Sequence, residues 1–207
     1  MSTGLSLKGV KLSLNGDVLL TLDAAVAPGD VLTVMGASGS GKSSLLAYIA
    51  GFLDRDFRAE GRVILDGNDV TALPAEKRRI GLLFQDPMLF PHLSVLGNLL
   101  FGLPRHVPDR NARAQAALAE VGLEGFGTRD PATLSGGQKA RVALMRLLLS
   151  EPHAVLLDEP FSKLDAHLKD EIRSLVFARL KFRSLPGLLV THDEADAKAA
   201  AGRVIRI

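Results

Sequence analysis

Apolar residues recur along this 207-residue chain with two different periods, and the switch between them marks its organisation. Near the start, Leu5-Ser6-Leu7, Val10–Leu14 and Val18–Leu22 alternate apolar with polar positions, as strands with one buried face do, and Pro28-Gly29-Asp30 reads as a turn. Val31–Met35 is instead a continuous apolar run stopping at Gly36, the pattern of a buried strand that feeds a loop. A helix is predicted from about Lys42 to Ala50, ended by Gly51, with further strands over Arg62–Leu65 and Ile80–Phe84. From Asp86 to Ser150 strand signals vanish and helical periods take over, in Val95–Leu103, Asn111–Val121 and Gly137–Leu149. The strand pattern resumes with Ala154–Leu157, Gly187–Thr191 and Val204–Ile207, separated by a helix at about Ala166–Phe182. This texture predicts an α/β fold with a helical insertion.

Composition narrows the class without choosing the function. With 47% hydrophobic and 23% charged residues, the chain suits one globular domain able to bury a core. Mean hydropathy is slightly positive at +0.19. Even so, the richest apolar segments (Val31–Met35, Leu45–Ala50, Val142–Leu149) break well short of the roughly 20 residues a bilayer helix needs. Met1-Ser2-Thr3-Gly4-Leu5 lacks a basic region followed by an apolar core, so no secretory signal is expected. The absence of Cys excludes disulfides, thiol chemistry and Cys-based zinc sites, and fits the cytosol. Net charge is only +2, and Lys77-Arg78-Arg79 is the nearest thing to a cationic stripe; it reads as the solvated edge of a short helix rather than a phosphate patch.

Gly36-Ala37-Ser38-Gly39-Ser40-Gly41-Lys42-Ser43 has the spacing of a phosphate-binding loop. A triphosphate carries several charges within a few ångströms, and bulky side chains cannot surround it. Gly36, Gly39 and Gly41 let the backbone curl so that N–H groups point inward, and the helix starting near Lys42 adds its positive end. Lys42 is expected to reach the β- and γ-phosphates, Ser43 to ligate Mg²⁺, and Ser44 and Ser38 to add phosphate contacts. This loop alone indicates a nucleoside triphosphate and no particular reaction. Downstream, the apolar run Ala154–Leu157 delivers two carboxylates, Asp158 and Glu159. In phosphate-loop enzymes the first acid holds Mg²⁺, and Glu159 is placed to polarise an attacking water as general base. Ser135-Gly136-Gly137-Gln138, after Leu134, opens a helix with a hydroxyl and bare N–H groups, a second anion site in a chain that already has one. An ordinary Ser N-cap accounts for Ser135 but not for Gly136-Gly137-Gln138.

Together these motifs, in this order and nearly end to end, resemble the nucleotide-binding subunit of an ATP-binding-cassette (ABC) transporter. The resemblance implies ATP and Mg²⁺ as ligands and ATP hydrolysis coupled to transport. It implies a P-loop NTPase (RecA-like) core with an N-terminal antiparallel β-subdomain, over about 1–85 and 151–207, and an inserted α-helical subdomain over about 86–150. Gln85 is similar to the family glutamine that senses Mg²⁺ and the attacking water, and His192 to the switch histidine that contacts the γ-phosphate. His92, His106, His153 and His167 lack such context and are expected at the surface. Ser135–Gln138 would cap the γ-phosphate of ATP held by a second copy, in a head-to-tail homodimer. Ser162-Lys163-Leu164-Asp165 resembles the loop that crosses this seam, with Lys163 where Ala is commonest and Asp165 kept.

Phe84-Gln85-Asp86-Pro87-Met88-Leu89-Phe90-Pro91-His92-Leu93-Ser94-Val95 resembles the corresponding stretch of bacterial importers for thiamine, iron, oxyanions, polyamines and sugars. There it helps form the groove for a permease coupling helix, so Leu89 and Phe90 are candidate contacts, with insert core as the other reading of each. The implied partners are transmembrane permease subunits and an external solute-binding protein, with no nucleic acid, and the implied place is cytoplasmic, peripheral on the inner face of the membrane. An exporter or lipid-extracting system is the near alternative, and a soluble ATPase acting on nucleic acid or ribosomes the distant one. Two departures stand out. No aromatic near Ser13-Leu14-Asn15 offers an adenine platform, so adenine stacking is expected to be weaker, or replaced by aliphatic contact from Leu12 or Leu14. The chain ends at Ile207 on a predicted last strand, so regulation through a C-terminal domain is not expected.

Overall fold

The central sheet owes its position to strands that are apolar on both faces. The computed structural model describes residues 4–37 and 39–207, the side chain of His167 excepted. Strands β3 (Val31–Met35), β6 (Ile80–Leu83), β7 (Ala154–Asp158), β8 (Gly187–Thr191) and β9 (Val204–Arg206) form a parallel sheet in the order β6-β7-β8-β3-β9. Alternation assigns each side chain to a layer. Leu32, Val34, Ala154, Leu156, Leu188 and Val190 face a core shared with α1 (Lys42–Ala50) and the N-terminal strands. Val31, Val155, Leu157 and Leu189 face the opposite core, shared with α2 (Val95–Gly102), α3 (Arg110–Glu120), α4 (Gly136–Leu149) and α5 (Ala166–Phe182). The architecture is the expected α/β core with an N-terminal antiparallel β-subdomain and an inserted helical region. Among the described residues no helix is long and apolar enough to cross a membrane.

The antiparallel sheet has the order β2-β1-β4-β5, with β1 (Leu5–Leu14), β2 (Asp17–Val26), β4 (Phe57–Leu65) and the short β5 (Asn68–Asp69). The two strands expected over Leu5–Leu7 and Val10–Leu14 are one strand interrupted by a bulge at Lys8-Gly9. Leu5 and Leu7 are buried, and so are Val10 and Leu12. The added residue changes the parity of the alternation, so the same face stays in the core across the bulge. Gly9 (φ +58°) lies against Gly61 (φ +95°), where a Cβ on Gly61 would stand 2.4 Å from the Gly9 carbonyl oxygen. Tyr48 on α1 ties this bulge to the core, its hydroxyl donating to the Gly61 carbonyl at 2.9 Å.

Strand β2 runs four residues past the expected Leu22, and the short β5 was not expected. Most other boundaries differ by a residue or so, as helix and strand ends do, but three further differences are substantive. The first half of β4, Phe57–Gly61, shows no apolar alternation because it is largely exposed. Helix α6 (Glu194–Ala200) was not expected, although Asp193 caps it by accepting from the Ala195 N–H at 2.8 Å. Lys77 ends a 3₁₀ turn (Ala75–Lys77) and Arg78 follows it, yet Arg78 is buried rather than solvated. Its guanidinium donates to the carbonyls of Tyr48 (2.8 Å), Ile49 (2.9 Å), Leu73 (2.8 Å) and Thr71 (2.5 Å), closing the last turn of α1.

Candidate functional site

Because β3, β6, β7 and β8 are parallel, their C-terminal ends meet at one edge of the sheet. Gly36 follows β3, Gln85 lies just past β6, Asp158 ends β7 with Glu159 next, and His192 follows β8. Residues more than a hundred positions apart are thereby gathered without any of them leaving its strand end.

The phosphate loop takes its shape from Gly39 and Gly41, at φ +85° and +86°, conformations that L side chains resist. Gly36 acts differently from expectation. Its φ is not positive, and a Cβ there would stand 2.6 Å from the Ile207 carbonyl oxygen and 2.8 Å from Ser40 Oγ, so it is glycine to admit the chain after β9. Ser38 lies outside the described residues. Lys42, 6% exposed, donates from Nζ to the carbonyls of Gly36 (2.9 Å) and Ala37 (2.6 Å), which aim its ammonium over the loop. Ser43 Oγ donates to Asp158 Oδ1 at 3.2 Å, joining the start of α1 to the end of β7. Ser43, Ser44 and Asp158 share the lining of one cavity of about 320 Å³.

These groups fit a magnesium-bound triphosphate. Burial, the largest influence, pushes the Asp158 carboxyl above its usual range; the Ser43 hydrogen bond opposes this, Glu159 adds to it and Lys42 opposes it. A carboxylate so placed gains from a divalent cation. Ser40 Oγ is buried with no hydrogen-bond partner among the described residues, and among those residues nothing beyond its chain neighbours lies within 4 Å of where a Gly39 Cβ would stand.

Glu159 adopts φ +45°, a sparsely populated conformation for a non-glycine residue, with its N–H donating to the Val190 carbonyl at 2.9 Å. That turn swings its carboxylate toward β8, where Oε1 lies 3.0 Å from His192 Nδ1. The backbone carbonyl of Glu159 accepts from the Ser162 hydroxyl at 2.9 Å, anchoring the 162–165 loop. Gln85 is exposed beyond the end of β6 and makes no hydrogen bond among the described residues. Of the remaining histidines, His92 and His106 are exposed. His153 is at the surface as expected, its side chain 40% exposed and its Nδ1 2.9 Å from Asp66 Oδ2. The side chain of His167 lies outside the described residues.

Ser135-Gly136-Gly137-Gln138 stands apart from this edge, and no hydrogen bond among the described residues links it to the phosphate loop. Ser135 Oγ accepts from the Gln138 N–H at 3.3 Å while Gln138 Oε1 accepts from the Ser135 N–H at 3.0 Å. This reciprocal cap explains Gln138 as well as Ser135, more than a simple Ser cap does. Gly137 is buried, with a Cβ position 3.2 Å from Leu168 of α5, so it serves close helix packing. Ser135 and Gly136 are exposed at the helix start, and Leu164, at 3.9 Å, approaches the Cβ position of Gly136. Asp165 is exposed at the start of α5, with its backbone carbonyl accepting from the Leu168 and Lys169 N–H groups. Lys163 reaches Asp86, beside Gln85, at 3.4 Å.

Sequence reasoning did not single out Arg146 or Asn98. Arg146, on α4, donates to the carbonyls of Pro87 (3.1 Å) and Met88 (2.9 Å) and lies over the Phe90 ring at 5.2 Å. Buried Asn98 accepts from the Phe90 N–H at 2.8 Å and donates to its carbonyl at 3.1 Å. Together they fix the segment after Gln85. An arginine on the inward face of α4 was the available signal. The segment borders an apolar groove of about 350 Å³ lined by Phe84, Pro87, Phe90, Phe101, Arg146 and Leu147 among others, in which Phe101 is 65% exposed. Phe90 lines this groove, whereas Leu89 packs against the core of the helical insert. Leu82 and Phe84 also line the cavity beside Ser43, so these two residues border both. On the side where adenine is expected, Leu12 is wholly buried in the core and is removed from consideration. Leu14 is half-buried, Leu19 and Leu20 pack on Gly41, and Val18 is 52% exposed.

Comparison with known proteins gives a consistent picture. A family model described as ABC transporter matches residues 19–162. The uncharacterised ABC transporter ATP-binding protein YnjD of Escherichia coli (strain K12) is 47% identical over 199 residues, covering 94% of this chain and 91% of that protein. The thiamine import ATP-binding protein ThiQ of Jannaschia sp. (strain CCS1) is 43% identical over 193 residues, covering 92% and 83%. The Fe(3+) ions import ATP-binding protein FbpC of Streptomyces coelicolor is 44% identical over 210 residues, covering 97% of this chain but 58% of that protein, so the chain spans little more than half of this relative.

Proposed function

Since the chain belongs to the ABC transporter family and is an ATP-binding, ATP-hydrolysing subunit working with Mg²⁺, we propose that the edge formed by β3, β6, β7 and β8 is its hydrolysis site. Backbone N–H groups of Gly39–Ser43 and the start of α1 hold the phosphates, with Lys42 supplying a positive charge to the β- and γ-phosphates and Ser44 a further donor. Adenine rests on aliphatic surface from Leu14 and Val18 rather than on a stacked ring. Mg²⁺, when bound by Ser43, Asp158 and Gln85, supplies charge neutralisation on the phosphate oxygens.

Glu159 accepts a proton from the attacking water, and Gln85 orients that water. A carboxylate only accepts hydrogen bonds, so the His192 Nδ1 that faces Glu159 Oε1 carries a proton, and to hydrogen-bond the γ-phosphate as well its Nε2 must also donate. The contact between Glu159 and His192, 3.0 Å across the ends of β7 and β8, is the observation that carries this reading.

Completion of the site requires a second copy. Ser135 and Gly136 stand exposed at the start of α4 and contact no phosphate-binding group of their own chain among the described residues. In a head-to-tail homodimer they and Gly137 approach the γ-phosphate held by the other chain, with Gln138 fixing Ser135 and Asp165 crossing the seam. ATP then bridges both faces, and its hydrolysis releases them. Glu159→Gln should bind ATP, elute as a dimer in its presence and hydrolyse it at least about 100-fold more slowly. An ATP-bound variant that stays monomeric on size-exclusion chromatography would count against the scheme.

The helical insert, taken as residues 86–150, meets the membrane partner. The apolar groove bordered by Phe84, Phe90 and Phe101 suits a permease coupling helix, since exposed aromatic surface beside a pinned segment is what an apolar helix face would cover. Names of similar proteins that speak of thiamine and Fe(3+) import support an importer, with the chain peripheral on the cytoplasmic face and an external solute-binding protein in the complete system.

A further inference from the structure

The loop carrying His192 is tied down by a buried set of polar groups that the hydrolysis site does not use. Thr191, 1% exposed at the end of β8, donates from Oγ1 to Asp196 Oδ2 at 2.8 Å and accepts from the Asp193 N–H at 3.0 Å. Asp196, 3% exposed on α6, accepts at Oδ1 from Arg173 Nε at 2.6 Å. Arg173, 5% exposed on α5, also donates to Asp193 Oδ2 at 3.0 Å and to Asp170 Oδ1 at 2.9 Å. Lys169 Nζ lies 3.8 Å from the same Asp193 oxygen. Asp193 therefore serves two masters, with Oδ2 on Arg173 and Oδ1 on the α6 cap.

Burying an arginine and a carboxylate costs desolvation that their attraction barely recovers, so such a network is an inefficient way to hold a fold together. What it does well is fix geometry, because the planar guanidinium fork binds its acceptors in one arrangement. Here it grips the residues on both sides of His192. The Arg173 guanidinium also lies 5.9 Å from the ring of Phe161, a wholly buried residue two positions from Glu159.

We propose that Arg173, through Asp196, Asp193 and Thr191, is a positioning residue that sets His192 against Glu159 and couples the α5 side of the molecule to the reacting edge. This rests on the reading of Glu159 and His192 given above.

Thr191→Val keeps the shape of the side chain and removes the hydroxyl. Its kcat for ATP should fall about 10- to 100-fold while KM for ATP changes little, since misplacing a group at the reacting end costs rate rather than nucleotide affinity. Arg173→Lys should show the same split, because an ammonium keeps the charge but not the fork. Loss of KM and kcat together would overturn the assignment.

A second readout is independent of turnover. In the nucleotide-free protein the ring ¹⁵N signals of His192, assigned with His192→Ala, should report a proton held on Nδ1 in the wild-type protein. In Thr191→Val they should average between the two tautomers while the other histidines hold their positions. An unchanged His192 ring in a slowed Thr191→Val would show that the network does not act through the imidazole. Full hydrolysis by Glu159→Gln would instead overturn the reading of the site, and the ring spectrum would still decide whether the network holds His192.

Discussion

At Asp158 burial and chemistry pull in opposite directions. The carboxyl is raised above its ordinary range chiefly by desolvation, so the folded protein binds this proton more tightly than the unfolded chain does. Stability from this group is therefore greatest below the unfolded pKa and is lost as pH rises through the window up to the folded value. Asp158→Asn removes the charge and still offers Ser43 an acceptor. Without nucleotide it should melt at or above the wild-type temperature at neutral pH, with the difference shrinking in acid as the wild-type carboxyl takes up its proton. ATP hydrolysis should fall at least about 100-fold. Thermal melts across the pH range check the first claim, and a lower melting temperature at neutral pH would show that the Ser43 contact outweighs desolvation. The roles proposed for Asp158, Glu159 and Lys42 are legible in sequence because each follows a recognisable apolar run or glycine spacing. The reason for Gly36 is not, since it depends on Ile207, a residue at the far end of the chain that only β9 brings near.

Elements were legible where one face was plainly buried. Val31–Met35, Ala166–Phe182 and Gly187–Thr191 coincide with strands and a helix whose apolar positions feed the two cores. The bulge in β1 hid because it changes parity mid-strand, and the outer half of β4 because its exposed residues carry no alternation. Helix α6 was signalled by an Asp cap and an alanine-rich run but is short enough to pass for a loop. Arg78 was misread for a different reason: from sequence an arginine among cations is a surface group, whereas here four carbonyls surround it. Two of those carbonyls end α1. Arg78→Ala leaves all four without this donor in a buried place, at a cost of roughly 3 kcal/mol or more. Urea denaturation should show that loss with an unchanged slope. Arg78→Lys should recover only part of it, because one ammonium cannot span acceptors on both α1 and the 71–73 segment. A cost below about 1 kcal/mol for Arg78→Ala would mean that water replaces the guanidinium freely.

Across the whole molecule, parallel register assembles one half of the chemistry and leaves the other half facing outward. The ends of β3, β6, β7 and β8 gather the phosphate loop, Asp158, Glu159 and His192, while Ser135 and Gly136 stand exposed at the start of a helix of the insert. Sequence order suggested this division, because a chain with two anion-binding motifs has one more than a single phosphate tail needs, but which residues cross between copies is a matter of surface. The division can be tested by giving the two halves separate defects. A Lys42→Ala chain loses its own cradle and keeps its Ser135, and a Ser135→Ala chain does the reverse. In a mixed head-to-tail dimer one interface pairs an intact cradle with an intact Ser135, and the other carries both defects. Random pairing makes half the dimers mixed, each with one complete site, so an equimolar mixture should recover roughly a quarter of wild-type ATPase activity from two nearly inactive preparations. The recovery should vanish on dilution below the dimer's dissociation constant. A mixture no faster than the mean of its components at every concentration would place both anion-binding motifs in the service of a single chain, and the head-to-tail assembly would have to be abandoned.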